Sequence, residues 1–414
     1  MRLNPQFVCC IFYSVYFLNI QSFIFSAITI LAICLFLVEP LERFELPTVA
    51  FEAQCSDPLS YRGLNTIMSN TYCPFVYHQL MVDFQGKVSA CCQFEATCEY
   101  DRYDDMMKPY REAMQRGEQI EPCRRCWQDE ANSFPSLRQS AINDFKRYSE
   151  HAGLMILDIR INNHCNLACT MCSDHSSNLW GKLVGSNIST RLDDTLQDRL
   201  IKDSEKILKL SIQGGEPFYG NDFIDFVERL PNKANIQLEI FSNTITANVD
   251  VLEKWCSEFK QVMFISSVDG IEETFESIRW PARWYKIERK ILELYEIKNL
   301  GLNFNFTLQN LNILNIGKFL NWRNKTVPKC ATTISILEWP VHFQFTVLDE
   351  YEKEQALLLL DDIQTPFSSE ADVLDNVRQQ LLLAPLNHEM LQIRYKQSEI
   401  IEQMRLRYLN RSSQ

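Results

Sequence analysis

An α/β fold built on a parallel sheet is what the pattern of this chain predicts, and two observations carry that prediction. Strand-like runs near residues 154–161, 207–213, 236–241, 261–267, 302–309 and 342–348 are separated by stretches of helical character, among them Asp222–Arg229, Asp250–Phe259 and Tyr285–Lys298. Such alternation lays strands parallel with helices as crossovers. Residues able to hold a ligand also recur where successive strands end, which implies a barrel or partial barrel with its site at the C-terminal rim.

The chain begins with an uncharged stretch, Phe7 to Val38, long enough to span a bilayer as a membrane anchor. The following Arg43-Phe44-Glu45-Leu46-Pro47-Thr48 and Phe51 to Gly63 resemble the accidental translation of a transfer-RNA gene, with the Phe-Glu pair encoded by a TTCGAA T-loop. Residues 1–67 are therefore expected to be a mis-started, non-native segment, with Met68 as the working start. A membrane-bound regulator is the reading if residues 7–38 are genuinely translated.

Residues 68–150 form a cysteine-rich module. Gln79 to Val88 alternates like a hairpin around the turn residues Asp83-Phe84-Gln85-Gly86. Cys73 precedes it, Cys91 follows, and Cys123 and Cys126 close a C-x2-C pair. Cys92 is an alternative to Cys91, and Cys98 is a spare. Four cysteines in this order suit an iron–sulfur cluster or, as in a zinc ribbon, a zinc ion. Arg124, Arg125 and Arg138 amount at most to a small basic patch.

The run Leu154 to Ile161 is a strand leading into a loop that holds Cys165, Cys169 and Cys172, a C-x3-C-x2-C spacing. Three thiolates can hold three corners of an iron–sulfur cube and leave one iron open for chemistry. A zinc site or three inert core cysteines are the plainer alternatives. His164 is read as a loop residue. The next strand, Ile207 to Gln213, ends in Gly214-Gly215-Glu216-Pro217, where paired glycines admit close backbone approach and Glu216 can accept hydrogen bonds from an ammonium group.

Cysteines in C-x3-C-x2-C after one strand and GGEP after the next resemble the radical S-adenosylmethionine (radical SAM) superfamily. The resemblance implies an incomplete (β/α)6 barrel over residues 151–348, with a 4Fe–4S cluster on Cys165, Cys169 and Cys172. It implies SAM contacts at Met171, Gly214, Gly215, Glu216 and Pro217. Further contacts are implied at Ser242 and Asn243 after the strand ending at Phe241, and at Ser267 and Asp269 after the next. Met171 stands where the family is often aromatic, and Asn303 to Gln309 lacks the glycine-rich adenine motif of some members. The order C…G-x4-C…C-x2-C in turn resembles the twitch module, a half-version of the SPASM domain, here ahead of the barrel. That implies an auxiliary 4Fe–4S cluster on Cys73, Cys91, Cys123 and Cys126.

The implied activity is reductive cleavage of SAM to a 5′-deoxyadenosyl radical that abstracts hydrogen, with a flavodoxin- or ferredoxin-like reductant and a peptide or protein as substrate. Arg160, Gln309 and Glu338 are candidate substrate contacts. Residues 349–414, rich in Leu, Glu, Gln and Arg, are expected to form two or three helices as a lid or packing appendage. Fifteen cysteines in 414 residues, several at metal spacing, favour a reducing, cytoplasmic setting over a disulfide scaffold. The net charge of −12 argues against nucleic acid as the main partner. A non-catalytic iron–sulfur or zinc protein, acting in electron transfer or partner binding, is the alternative.

Overall fold

The computed structural model describes residues 70–131, 136–145, 153–186 and 188–412, all within one unit of the chain, residues 63–414. The expected anchor at 7–38 and the expected mis-started segment 1–67 lie outside the described residues. Among the described residues no helix is long and apolar enough to cross a membrane.

Six strands form the parallel core: β4 (Ile156–Arg160), β5 (Lys209–Gln213), β6 (Gln237–Ser242), β7 (Gln261–Ser267), β8 (Leu300–Leu308) and β9 (Thr332–Ile336). The cysteine-rich segment begins with a short helix, α1 (Pro74–His78), and then adds β1 (Gln79–Val82), β2 (Lys87–Ser89) and β3 (Cys98–Glu99). The sheet order is β3-β2-β1-β4-β5-β6-β7-β8-β9. β1 lies parallel to β4, whereas β1-β2 and β2-β3 are antiparallel. The cysteine-rich segment is thus continuous with the parallel sheet through β1, and the hairpin falls where the turn chemistry puts it. Asp83 closes that turn, its Oδ1 accepting from the backbone N–H of Gln85 (2.8 Å) and Lys87 (2.9 Å).

The module's helices are α2 (Tyr103–Gln115), α3 (Arg124–Ala131) and α4 (Leu137–Phe145). Crossovers α5 (Asn178–Val184), α6 (Asp194–Asp203), α7 (Asp222–Glu228), α8 (Val249–Glu258), α9 (Glu272–Ile278), α10 (Trp284–Tyr295) and α11 (Ile316–Thr326) join the parallel strands. Three helices close the chain: α12 (Glu350–Asp362), α13 (Ser368–Leu383) and α14 (His388–Ser412). The buried Arg323–Glu370 pair, at 2.6 Å, ties α11 to α13.

Side chains alternate across the strands, and here the alternation separates two chemistries. Leu157, Ile159, Leu210, Ile212, Leu238 and Ile240 are buried in the apolar core. The intervening Asp158, Arg160, Lys209, Ser211, Gln213 and Glu239 line internal cavities instead. Along β4 and β5 the strand face opposite that core therefore carries the polar groups that line these cavities.

One strand falls elsewhere than expected. Residues 342–348 supply only a 3-10 turn, Val341–Phe343, and the sixth parallel strand is β9. Phe343, Phe345, Val347 and Leu348 satisfy their hydrophobicity by burial in a loop, so their alternation imitates a strand. Thr332-Thr333-Ile334-Ser335-Ile336 is short and polar in part, yet its β-branched residues suit the edge position beside β8.

Candidate functional site

The cysteine loop after β4 is held from several directions. Asn162 and Asn163 brace its start: the Asn162 side chain donates to Asp222 (2.7 Å) and accepts from the His164 N–H (3.0 Å), while buried Asn163 accepts from the Thr190 N–H (3.0 Å). Asn178 at the start of α5 accepts from the Cys165 N–H (3.0 Å), and Trp180 Nε1 donates to the Cys169 carbonyl (2.8 Å). Across the loop, Ala168 N–H donates to Trp280 O and Thr170 N–H to Ile278 O, both at 2.8 Å. His164 is a loop residue, its Nε2 3.0 Å from Ser189 Oγ.

The glycine pair of GGEP lies directly against this loop. Gly215 N–H donates to Asn162 O (3.0 Å) and Glu216 N–H to His164 O (2.7 Å). A Cβ on Gly215 would sit 2.1 Å from His164 O, so only glycine fits. Gly214 has φ 141°.

Cys165, Cys169, Cys172, Met171, Gly214 and Gly215 share one cavity of about 370 Å³ at the C-terminal ends of β4 to β8. Ser242, Asn243, Ser267 and Arg160 line it too, as do Arg279 and Asn305. The structure thus gathers most of the expected SAM contacts with the expected cluster ligands.

Three of the expected contacts, Glu216, Pro217 and Asp269, are not on this cavity wall. The Glu216 carboxylate is turned into the protein: Oε1 accepts from Ser242 Oγ (2.7 Å) and the Phe218 N–H (3.2 Å), and Oε2 from the Asn243 N–H (2.7 Å). It splices the GGEP loop to the end of β6, and Pro217 is buried behind it. Burial raises the Glu216 carboxyl above its ordinary range, against the pull of those donors. Asp269 is fully buried, accepts from the Thr307 N–H (2.7 Å) and pairs with Arg279 at 2.8 Å. It positions Arg279.

Arg279 is a residue that sequence reasoning missed. Its guanidinium lies 4.0 Å from Cys169 Sγ. Arg405 of α14 is a second: it donates to Ser277 O (2.8 Å), Ala168 O (3.1 Å) and Thr170 Oγ1 (3.1 Å), and stacks on Trp280 at 5.6 Å. The last helix is thereby a clamp on the cluster loop. Arg405→Ala should lose this clamp at a cost of about 2–4 kcal/mol and bind less iron at the cysteine loop. Iron content per chain after reconstitution, with the melting temperature, checks both effects.

Burial raises the thiols of Cys165, Cys169 and Cys172 above the ordinary cysteine range, for Cys172 to about 12. Thiols so buried are neutral until a metal displaces their protons. Among the described residues no three His, Cys, Asp or Glu side chains converge on a single-ion position.

In the module, Cys73, Cys91, Cys123 and Cys126 line a second, much smaller cavity together with Arg138. Cys91 is buried there, whereas Cys92 is exposed and faces another cavity, which favours Cys91 over Cys92 as the fourth ligand. Arg138 is no surface charge: it pairs with Glu130 (2.5 Å), donates to Tyr72 O (2.9 Å) and lies over the Trp127 ring. Arg124 pairs with Glu95 and Glu121, and Arg125 with Asp129 and Glu338, so the suspected basic patch is neutralised.

Of the candidate substrate contacts, Arg160 lines the cluster cavity. Glu338 instead meets Arg125 at 2.6 Å. Gln309 is buried beside Asn312, whose Oδ1 accepts from its N–H.

Beneath the cluster cavity lies a third, of about 310 Å³, reached by Asp158, Glu239, Lys209 and Cys92. Burial pushes the Asp158 carboxyl up to about 6 from 3.8. The folded state is favoured while this group is protonated; the advantage, at most about 3 kcal/mol, fades as pH rises from about 4 to about 6. Asp158→Asn should therefore melt progressively higher than the parent across that window, as paired melting curves would show.

A family model described as a 4Fe-4S single cluster domain matches residues 159–276, which span the cysteine loop, GGEP and the ends of β5 to β7. The segment is thus similar to 4Fe–4S single cluster domains. The matched segment carries the paired-glycine loop and the polar strand ends gathered around one cavity.

The fold is also similar to solved structures. Native anSMEcpe with bound AdoMet is 18% identical, with 54% of this chain and 63% of that chain covered and a TM-score of 0.39. Native anSMEcpe with bound AdoMet and the Kp18Cys peptide is 18% identical, over 50% and 59%, with a TM-score of 0.37. SuiB from Streptococcus suis, bound to the precursor peptide SuiA, is 12% identical over 69% and 61%, with a TM-score of 0.34. The chain thus spans about 59–63% of the length of these structures. Likeness this distant fixes no residue or substrate here. No curated protein matches the chain.

Proposed function

We propose that this chain is a radical SAM enzyme that carries out oxidative modification of a peptide or protein. The observation that carries the reading is the single cavity onto which Cys165, Cys169 and Cys172, the Gly214-Gly215 backbone and Arg279 all open. When bound and reduced, the cluster supplies the electron that cleaves SAM to methionine and a 5′-deoxyadenosyl radical.

The chain's own groups prepare the place for this. Gly214 and Gly215 let the GGEP loop pack against the backbone of Asn162 to His164 beside the cysteines, and Asn243, joined to Asn166 at 2.8 Å, lines the same cavity. Met171 offers a polarizable, non-stacking surface. Arg279 places a positive charge beside Cys169, where an electron added nearby is stabilised. The four module cysteines hold the auxiliary 4Fe–4S cluster in this reading, and the twitch-like order of those cysteines is what supports a peptide as substrate.

The test is anaerobic incubation of the reconstituted protein with dithionite and SAM. Methionine and 5′-deoxyadenosine should form in the parent and fall at least a hundredfold in the Cys165→Ala, Cys169→Ala, Cys172→Ala variant. No cleavage by a fully reconstituted parent would favour a non-catalytic iron–sulfur protein.

A further inference from the structure

The third cavity is bounded by both iron–sulfur regions. Cys91 lies on its wall and on that of the module's four-cysteine cavity, whereas Gln213 and Phe241 lie on its wall and on that of the cluster cavity. Its walls are apolar at Phe75, Leu137, Ile156 and Phe241, and its charged groups are the acids Asp144, Asp158 and Glu239 and the base Lys209. Lys209 is neutralised by Glu239 at 3.1 Å, and Ser211 Oγ also donates to that carboxylate (3.4 Å). Asp144 lines the side formed by α4.

Asp158 is the group left over. It is 6% exposed, and its Oδ2 accepts from Gln213 Nε2 at 3.3 Å, but its buried Oδ1 has no hydrogen-bond partner. A buried carboxylate oxygen without a donor is costly to maintain. A donor delivered by a ligand would remove that cost.

We propose that this cavity is a binding subsite for the basic side chain of a peptide substrate, an ammonium or guanidinium group that donates to Asp158. The proposal rests on the peptide-modifying reading above for the identity of the ligand. A buried carboxylate oxygen without a donor, with the cavity's lysine paired to Glu239, selects a cationic donor over a neutral group. Arg160, on the wall of the cluster cavity, and Lys209 also act on Asp158 electrostatically and oppose an added cation, whereas Glu239 favours it. An anchor here would hold the rest of a substrate between the two cysteine sites.

Cys92, exposed on the cavity wall, reports occupancy. Alkylation of Cys92 by N-ethylmaleimide, followed by peptide mass spectrometry on the reconstituted full chain, should slow at least fivefold with n-butylammonium chloride. The neutral isostere 1-butanol at the same concentration should have no such effect. Asp158→Asn should abolish the difference. Ser140→Lys, on the exposed face of α4 at the cavity edge, should do the same by placing a competing ammonium there.

Equal protection by amine and alcohol, protection by neither, or undiminished selectivity in both variants would overturn the subsite. SAM cleavage is scored separately. Its absence with selective protection intact would overturn the enzymatic reading and keep the cation site, and cleavage without selective protection would do the reverse.

Discussion

Gly215→Ala should abolish cluster binding at the cysteine loop. The added Cβ would meet His164 O at 2.1 Å, His164 C at 2.5 Å and Asn163 C at 2.7 Å. All three are backbone atoms of the loop leading into Cys165, so relief requires the loop itself to move. Asn162, Asn163 and Asn178 tether that loop, and Glu216 N–H is bonded to the same His164 carbonyl. Overpacking against so fixed a backbone costs about 3 kcal/mol or more. The expected result is at least a tenfold loss of iron bound by Cys165, Cys169 and Cys172, with the module's iron retained. Retention of full iron and an unchanged melting temperature would show that the glycine is dispensable.

Removing Arg279 should have the second-largest effect, and it should appear in two measurements. Asp269 and Arg279 are 0% and 8% exposed in their side chains. Arg279→Leu leaves the Asp269 carboxylate buried without its counter-charge, a loss of about 3–5 kcal/mol. The Asp269→Asn, Arg279→Leu double variant removes both charges and should recover part of that loss. Only the redox measurement speaks to function. A cation 4.0 Å from Cys169 Sγ favours the more negative, reduced state of whatever the thiolate binds, so its removal should lower the midpoint potential of the cluster in both variants, by less in the double variant, where loss of the Asp269 charge acts in the opposite direction. A potential unmoved in both would make the pair purely structural.

The sequence made some parts of this site readable and hid others for physical reasons. Cys165, Cys169, Cys172 and the two glycines announce themselves because their spacing is local and their chemistry narrow. β4 to β8 were readable because their apolar runs alternate with amphipathic helices. β9 was not, since Thr332 to Ile336 carries little hydrophobicity while Phe343 to Leu348 carries much and buries it without pairing.

Side-chain direction was also beyond sequence reasoning. Glu216 and Asp269 sit at strand ends, where residues facing a ligand and residues facing the core are neighbours, and both turn inward to fix what does face the cavity. Arg279 and Arg405 escaped notice because an arginine near a helix end usually lies at the solvated surface. Only the tertiary fold brings Arg405 back across more than two hundred residues to Ala168 and Thr170. Asp158 had a signal available, a lone acid within the apolar run Met155 to Ile161, that distinguishes a strand facing a polar interior from one buried on both sides.

Iron and acid-labile sulfide per chain, measured beside 5′-deoxyadenosine formation in three proteins, tests the central claim most directly. The parent should hold about eight irons, and the Cys165→Ala, Cys169→Ala, Cys172→Ala variant about four with no SAM cleavage. A variant with Cys73, Cys91, Cys123 and Cys126 replaced by alanine should hold about four irons and still cleave SAM. Zinc in place of iron, or unchanged iron and cleavage after the three cysteines of the loop are removed, would contradict the account.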